Sequence, residues 1–375
     1  MGYGMKTLDN SSLSKRIQPE KKIEIMNEER SLILDYAKSI GIILVVMYHL
    51  KTSFFNVYHA YMFHMPLFFF LGGMLYKNKG VKKSIYGTIK KQFFYLIYTY
   101  IILSLIASGL AYHYGLNTGK FIDKSITETI TLPLRSNFHN NKIFLVAWFI
   151  LAYGCISIIF SLIQQALSKF LSDLSLKITV VTLGVISAYI SVNYLSIAWL
   201  TQKEPQYLLS SQITFGMFFY AMGFALSSVR LTIYNTYMFI ILTATLYVLR
   251  NYGLATSTVM SWAQYKDGFI ISIFTAMCGI YAVMFISKLL AKEDFGLNIL
   301  REIGRSSRDI MSYHLLCFLF IDIILHYYYG FTLVGKDAYK DHYYDKWTWP
   351  VYVMIGVLAP TVVSYTYRAI KARRF

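Results

Sequence analysis

Apolar residues run along this chain in blocks of about 20, the length at which an α-helix crosses the hydrocarbon core of a bilayer. The blocks predict helices over residues 32–50, 58–76, 93–112, 143–163, 178–198, 212–227, 231–249, 269–290, 309–329 and 350–367. Such a pattern predicts an all-α polytopic membrane protein of about ten transmembrane helices. The block at 212–227 is the weakest, because it is short and opens with Gln212 and Thr214, so a broken or tilted helix is expected there.

Composition strengthens this reading. The 375 residues are 56% hydrophobic, with a mean hydropathy of +0.46, which is more apolar surface than one soluble core buries. Aromatic residues make up 17% of the chain, and many of the 33 Tyr lie near the ends of apolar blocks, at the headgroup level.

The net charge of +17 changes the picture less than it first suggests, because Lys and Arg sit in the short connections between blocks. That is a topology signal, and nucleic acid is not an expected partner. The connections on the N-terminal side carry roughly twice as many Lys and Arg as those opposite, which predicts that both termini are cytoplasmic. The expected organisation is a cytoplasmic tail over residues 1–31, one membrane domain over 32–367 and a basic cytoplasmic tail over 368–375. The first 30 residues are polar, with no secretory peptide, and the protein is expected to be multi-pass in a cell membrane, such as a bacterial inner membrane or a plasma membrane. Cys155, Cys278 and Cys317 are isolated in apolar blocks, and the eight His form no HxxxH or HExxH pair, so neither a disulfide framework nor a metal centre is expected.

The first block, LDYAKSIGIILVVMYHL, contains Asp35, Lys38 and His49. Ionisable groups at membrane depth are costly enough to be functional candidates. At 100° per residue, Lys38 and His49 fall about 60° and about 40° from Asp35, so all three share one helix face. Lys38 and His49 are about 16 Å apart along the axis, marking two depths of a polar track. Spacing alone equally allows Asp35 and Lys38 to be an interfacial ion pair, with His49 merely ending the helix.

Four segments together resemble the integral-membrane acyltransferase family 3, and particularly its fucose 4-O-acetyltransferase-like branch. The family's first helix carries Arg or Lys, ten residues and then His, matched by Lys38 and His49. FHMPLFFFLGGMLYK resembles the second helix through His64, Pro66, Phe68 to Phe70 and Gly73, with Gly72 where Ser is frequent. IKKQFFYLIYTY resembles the start of the third, with Lys90 and Lys91 at common Arg positions and Thr99 where Pro is usual. IGRSSRDIMSYHL supplies Gly304, Ser306, Ser307 and His314 of a ninth-helix motif, and Trp148 and Gly223 lie in two further similar segments.

The resemblance implies transfer of an acyl group, usually acetyl, from cytoplasmic acetyl-CoA or another acyl-CoA to a sugar hydroxyl of a surface polysaccharide or its lipid-linked precursor. A sugar hydroxyl is a poor nucleophile at neutral pH and needs a base, for which His has a suitable pKa. On that reading His49 is the general base or transient acyl acceptor. Lys38 meets donor phosphate or developing charge, and Asp35 holds Lys38. His64 and His314 line the same cavity as second-tier candidates. Lys90 and Lys91, together with Lys77, Lys79, Lys82 and Lys83 of the same cytoplasmic loop, attract the anionic coenzyme. Asp322 and His326 form an i,i+4 pair, either structural or on the acceptor side. The loop over 330–349 combines Tyr339, Tyr343, Tyr344, Trp347 and Trp349 with Asp337, Asp341 and His342, which suits either a sugar ring or an interfacial aromatic belt.

Two other functions fit many spans with buried charge. A transporter or flippase of a glycan intermediate would move substrate without acyl transfer, and an envelope scaffold would use the polar face as a packing seam.

Overall fold

The protein is described here by a computed structural model covering residues 30–50, 60–228, 233–292, 298–343 and 347–373. Residues 1–29 of the tail expected over 1–31, and Tyr344 of the aromatic loop, lie outside the described residues, while Arg30 and Ser31 belong to the first helix.

Eight helices are long and apolar enough to span a bilayer, so this is an all-α, multi-pass membrane protein. They are α1 (Arg30–Tyr48), α3 (Val81–Tyr114), α5 (Ala147–Leu167), α6 (Asp173–Gln202), α7 (Pro205–Leu226), α9 (Gly268–Lys292), α11 (Ser307–Tyr329) and α12 (Trp349–Arg373). Between them lie α2 (His64–Met74), α4 (Ile126–Arg135), α8 (Thr236–Asn251), α10 (Asn298–Arg305) and a two-stranded hairpin of β1 (Thr258–Val259) and β2 (Gln264–Tyr265).

All ten apolar blocks are found as helices, but their lengths differ from the sequence expectation. The block at 212–227 belongs to an unbroken helix of 22 residues: Pro205 starts it early, and inside the protein the Gln212 side-chain N–H groups donate to the Ser261 carbonyl and to Asn137 Oδ1. The short helices are α2, with 11 residues, and α8, with 16. Every residue of α2 is buried, so protein rather than lipid surrounds it and it need not match the bilayer thickness. The basic stretch before the third block is also largely helical. From Val81 onward, with Lys77 and Lys79 just before it, the stretch forms the first turns of α3, joined to the apolar part by a π-helical segment, Ile89–Phe93.

The buried centre is built around α1, α2 and α7, whereas α3 and α12 turn most of their surface outward. On α3, Phe94, Ile97, Tyr98, Ile101 and Leu105 recur at helical spacing and are all exposed, giving a lipid-facing stripe. Two glycines let α2 and α7 cross at backbone contact. A Cβ on Gly73 would lie 1.9 Å from the Tyr220 carbonyl oxygen, and one on Gly223 1.9 Å from that of Phe70.

The segments at the end opposite the α1 N-terminus pack on one another as a cap. Asn117 bridges to Asp337, Lys142 pairs with Asp337 at 2.5 Å, and the Asn137 side-chain amide donates to the Ser261 carbonyl. The residues over 136–146 are irregular yet largely buried, including Asn137, Asn140 and Asn141. Irregular backbone at depth survives because its polar groups are bonded within the protein: Asn140 donates to the Tyr100 hydroxyl and Asn141 to that of Ser104.

Candidate active site

At the end bearing its N-terminus, α1 places the buried Asp35 carboxylate among three cations. Lys38 Nζ lies 2.9 Å from one oxygen; Arg305 Nε and Arg301 Nε lie 3.4 and 3.9 Å from the other. The two arginines are four residues apart on α10, and so share a face. This face reaches α1 because residue 304 is Gly. A Cβ there would stand 2.0 Å from the Asp35 carbonyl oxygen. The Ser39 hydroxyl also donates to the Leu300 carbonyl, tying the same two helices together.

A basic cleft opens beside this cluster. It comprises adjoining cavities of about 530, 270 and 170 Å³ that share Leu75 in their walls. Arg30, Lys38 and Lys77 line the largest; Lys77, Lys79, Lys83 and Lys91 line the second. The innermost runs between Lys38, Gln92, Tyr153 and Arg308 toward Phe68 and Met311. Lys90 is exposed and does not line these cavities, whereas Lys91 does. On a helix, neighbours point about 100° apart, so the pair cannot face one cavity equally.

His49 lies at the other end of α1, in the turn just beyond Tyr48. Its ring centroid is 4.9 Å from that of His314 and 5.5 Å from that of Tyr339, which meets it edge-on. His49 Nδ1 is buried and has no hydrogen-bond partner. Burial raises the Tyr339 phenol above its ordinary pKa, so at neutral pH its hydroxyl remains a donor.

The hydrogen bonds fix two imidazole tautomers. His314 Nδ1 lies 3.0 Å from the carbonyl oxygens of Ile310 and Met311, and a carbonyl only accepts, so Nδ1 carries the proton. In the neutral ring, Nε2 then holds a lone pair; it is buried without a partner. His64 Nδ1 likewise donates to the Ala60 carbonyl, at 2.7 Å, while its ring packs against Tyr61 and Tyr48.

The cleft and the imidazoles are adjacent. Met311 precedes His314 by one turn of α11, and Phe68 follows His64 by one turn of α2. One turn is about 5 Å of axial rise. The inner wall of the basic cleft at Met311 therefore lies one helical turn from His314, which packs on His49; neither imidazole itself lines the cleft.

Residues 32–369 match the family model described as an acyltransferase domain. The chain belongs to acyltransferase family 3. No curated protein matches this acyltransferase, and no solved structure does. The matched span contains every site residue described above except Arg30, which lines the cleft mouth just before it.

One expected pair is not formed in this acyltransferase. Asp322 does not bond His326. Its oxygens accept from His342 Nδ1, the Tyr343 backbone N–H and the Tyr352 hydroxyl, while His326 Nδ1 bonds the Phe331 carbonyl. The chain after α11 folds back over that helix and supplies closer donors than the next helical turn. Arg301, Arg305 and Arg308 were not singled out by sequence reasoning, although their i,i+4 and i,i+3 spacing beside Gly304 was visible. The Arg308 guanidinium stacks 4.0 Å from the Tyr95 ring centroid.

Proposed function

We propose that this acyltransferase moves acetyl from acetyl-CoA, entering at the basic end, to a sugar hydroxyl of a surface polysaccharide or its lipid-linked precursor. The observation that carries the reading is the close His49–His314 pair one helical turn from Met311, on the inner wall of a Lys- and Arg-lined cleft. The coenzyme is polyanionic, and the cleft mouth concentrates positive charge where phosphates would lie. A thioester arm projecting inward meets unpartnered imidazole nitrogens, which suit a base or an acyl acceptor.

In this scheme His49 takes the hydroxyl proton or carries the acyl group, and Lys38 binds donor phosphate while Asp35 anchors it. His64 and His314 shape the cavity, Lys91 contributes to the donor mouth, and Lys90 adds only to its long-range field. The acceptor approaches from the capped end, where Tyr339 borders His49.

The test uses membranes from cells producing the chain, given acetyl-CoA labelled in the acetyl group, with label scored as alkali-labile ester on envelope glycan. Wild-type membranes should incorporate label. A His49→Ala protein that accumulates normally should lose at least a hundredfold in rate. Incorporation by His49→Ala at the parental rate would remove His49 from the mechanism. Movement of glycan across the membrane with no ester formed by wild type would replace the reading with a transporter.

A further inference from the structure

The cap holds a second imidazole with the features of a base, outside the four motif segments. His342 lies in the segment after α11, only 6% exposed, and its Nδ1 is 2.7 Å from Asp322 Oδ2. Asp322 is 1% exposed and points away from lipid into the protein. Its other oxygen accepts from the Tyr352 hydroxyl and the Tyr343 N–H, so three donors hold the carboxylate in one orientation. A carboxylate accepts, so His342 donates from Nδ1, and in the neutral ring Nε2 carries the lone pair. That Nε2 is buried and has no hydrogen-bond partner.

A purely structural imidazole would satisfy both nitrogens or leave one in water. Here the free nitrogen is enclosed near the other imidazoles. The Phe318 ring lies edge-on to both, 5.2 Å from His342 and 5.8 Å from His314, and His314 in turn packs 4.9 Å from His49. His49, by contrast, has no carboxylate among its described partners. A carboxylate behind an imidazole both selects the accepting tautomer and stabilises the imidazolium that proton uptake creates.

We infer that the Asp322–His342 pair is the proton acceptor for the acceptor hydroxyl, which leaves His49 to hold or carry the acyl group. This deepens the acyl-transfer reading and rests on it. In the step, the hydroxyl O–H bond breaks as His342 Nε2 takes the proton, and the oxygen electron pair forms the new ester bond to the acyl carbon. The bond from that carbon to its carrier breaks. The carrier, coenzyme sulfur or His49 nitrogen, leaves with the electron pair and takes up the proton that His342 releases. Asp322 acts through His342 and is a positioning residue.

The discriminating variant is Asp322→Asn. The amide keeps the shape and its oxygen still accepts from Tyr352 and Tyr343, but its NH2 faces His342 Nδ1 and forces that nitrogen to accept. Nε2 then carries the proton and cannot take another without charging the ring beside a neutral amide. In the labelled-membrane assay, Asp322→Asn and His342→Asn should each lower the maximal rate at least a hundredfold, with the KM for acetyl-CoA and the amount of membrane protein within twofold of wild type. Asp322→Glu, which restores a carboxylate, should recover part of the rate. The inference is overturned if Asp322→Asn transfers at the parental rate, or if its loss is matched by lost protein or by a raised KM for acetyl-CoA. It is equally overturned if Asp322→Glu is no better than Asp322→Asn. Absence of label from wild-type membranes would instead overturn the acyl-transfer reading itself.

Discussion

The Asp35 cluster is built so that one cation can be lost. Lys38, Arg305 and Arg301 all face this carboxylate, and the two arginines hold α10 against α1. Replacing Lys38 with Ala leaves Asp35 paired, so Lys38→Ala should accumulate at wild-type levels. Its KM for acetyl-CoA should nevertheless rise about tenfold, the worth of one charge-assisted phosphate contact. Asp35→Ala removes the anion and leaves three cations facing one another, with an expected loss of about 1–3 kcal/mol in stability, measurable as lower membrane accumulation and earlier thermal aggregation. Lys38→Arg should retain most donor affinity. The ordering Lys38→Arg, Lys38→Ala, Asp35→Ala in protein level separates donor binding from packing, because only the last disturbs α10.

At the scale of elements, the site depends on close helix contacts that only glycine allows. Gly304 brings α10 onto the α1 backbone at Asp35, and Gly223 brings α7 onto α2 at Phe70, one turn from Gly73. Neither contact can yield to a side chain without moving backbone. Gly223→Leu should therefore prevent normal accumulation, since overpacking at a rigid contact costs about 1–3 kcal/mol or more. Gly304→Ala should accumulate better but bind donor less well, because it displaces the arginines rather than the central helices; acetyl-CoA binding to detergent-purified protein checks this. The cap has its own tie, the Lys142–Asp337 pair, whose carboxylate also accepts the Tyr339 N–H. The π-helical segment of α3 joins the basic turns to the lipid-facing stripe, and in a second such segment, Ser191–Leu195 of α6, Ser191 bonds Ser211 of α7.

At the scale of the whole molecule, the two ends differ in chemistry: one is an open basic cleft, the other a polar cap closed over imidazoles. The positive-inside rule predicts that the cleft faces the cytoplasm. After Cys155, Cys278 and Cys317 are replaced, a cysteine at exposed Lys79 should react with an impermeant maleimide only in opened cells, and one at exposed Ile122 in intact cells; the reverse pattern would invert the molecule. The sequence by itself determined the membrane class and the ten apolar helices, because hydropathy and helical period are local properties of a chain in a bilayer. It also marked His64, His314 and Gly304, through similarity of the segments around them. Where α2 and α8 would end was less legible, since burial in protein relaxes the length that lipid imposes. Only the tertiary structure decided that Arg301 and Arg305 share Asp35 with Lys38, that Lys91 faces the cleft while Lys90 does not, and that Asp322 meets His342 rather than His326. Each of those contacts depends on how separate segments cross in space, and hydrophobic periodicity carries no term for a contact made across the bundle.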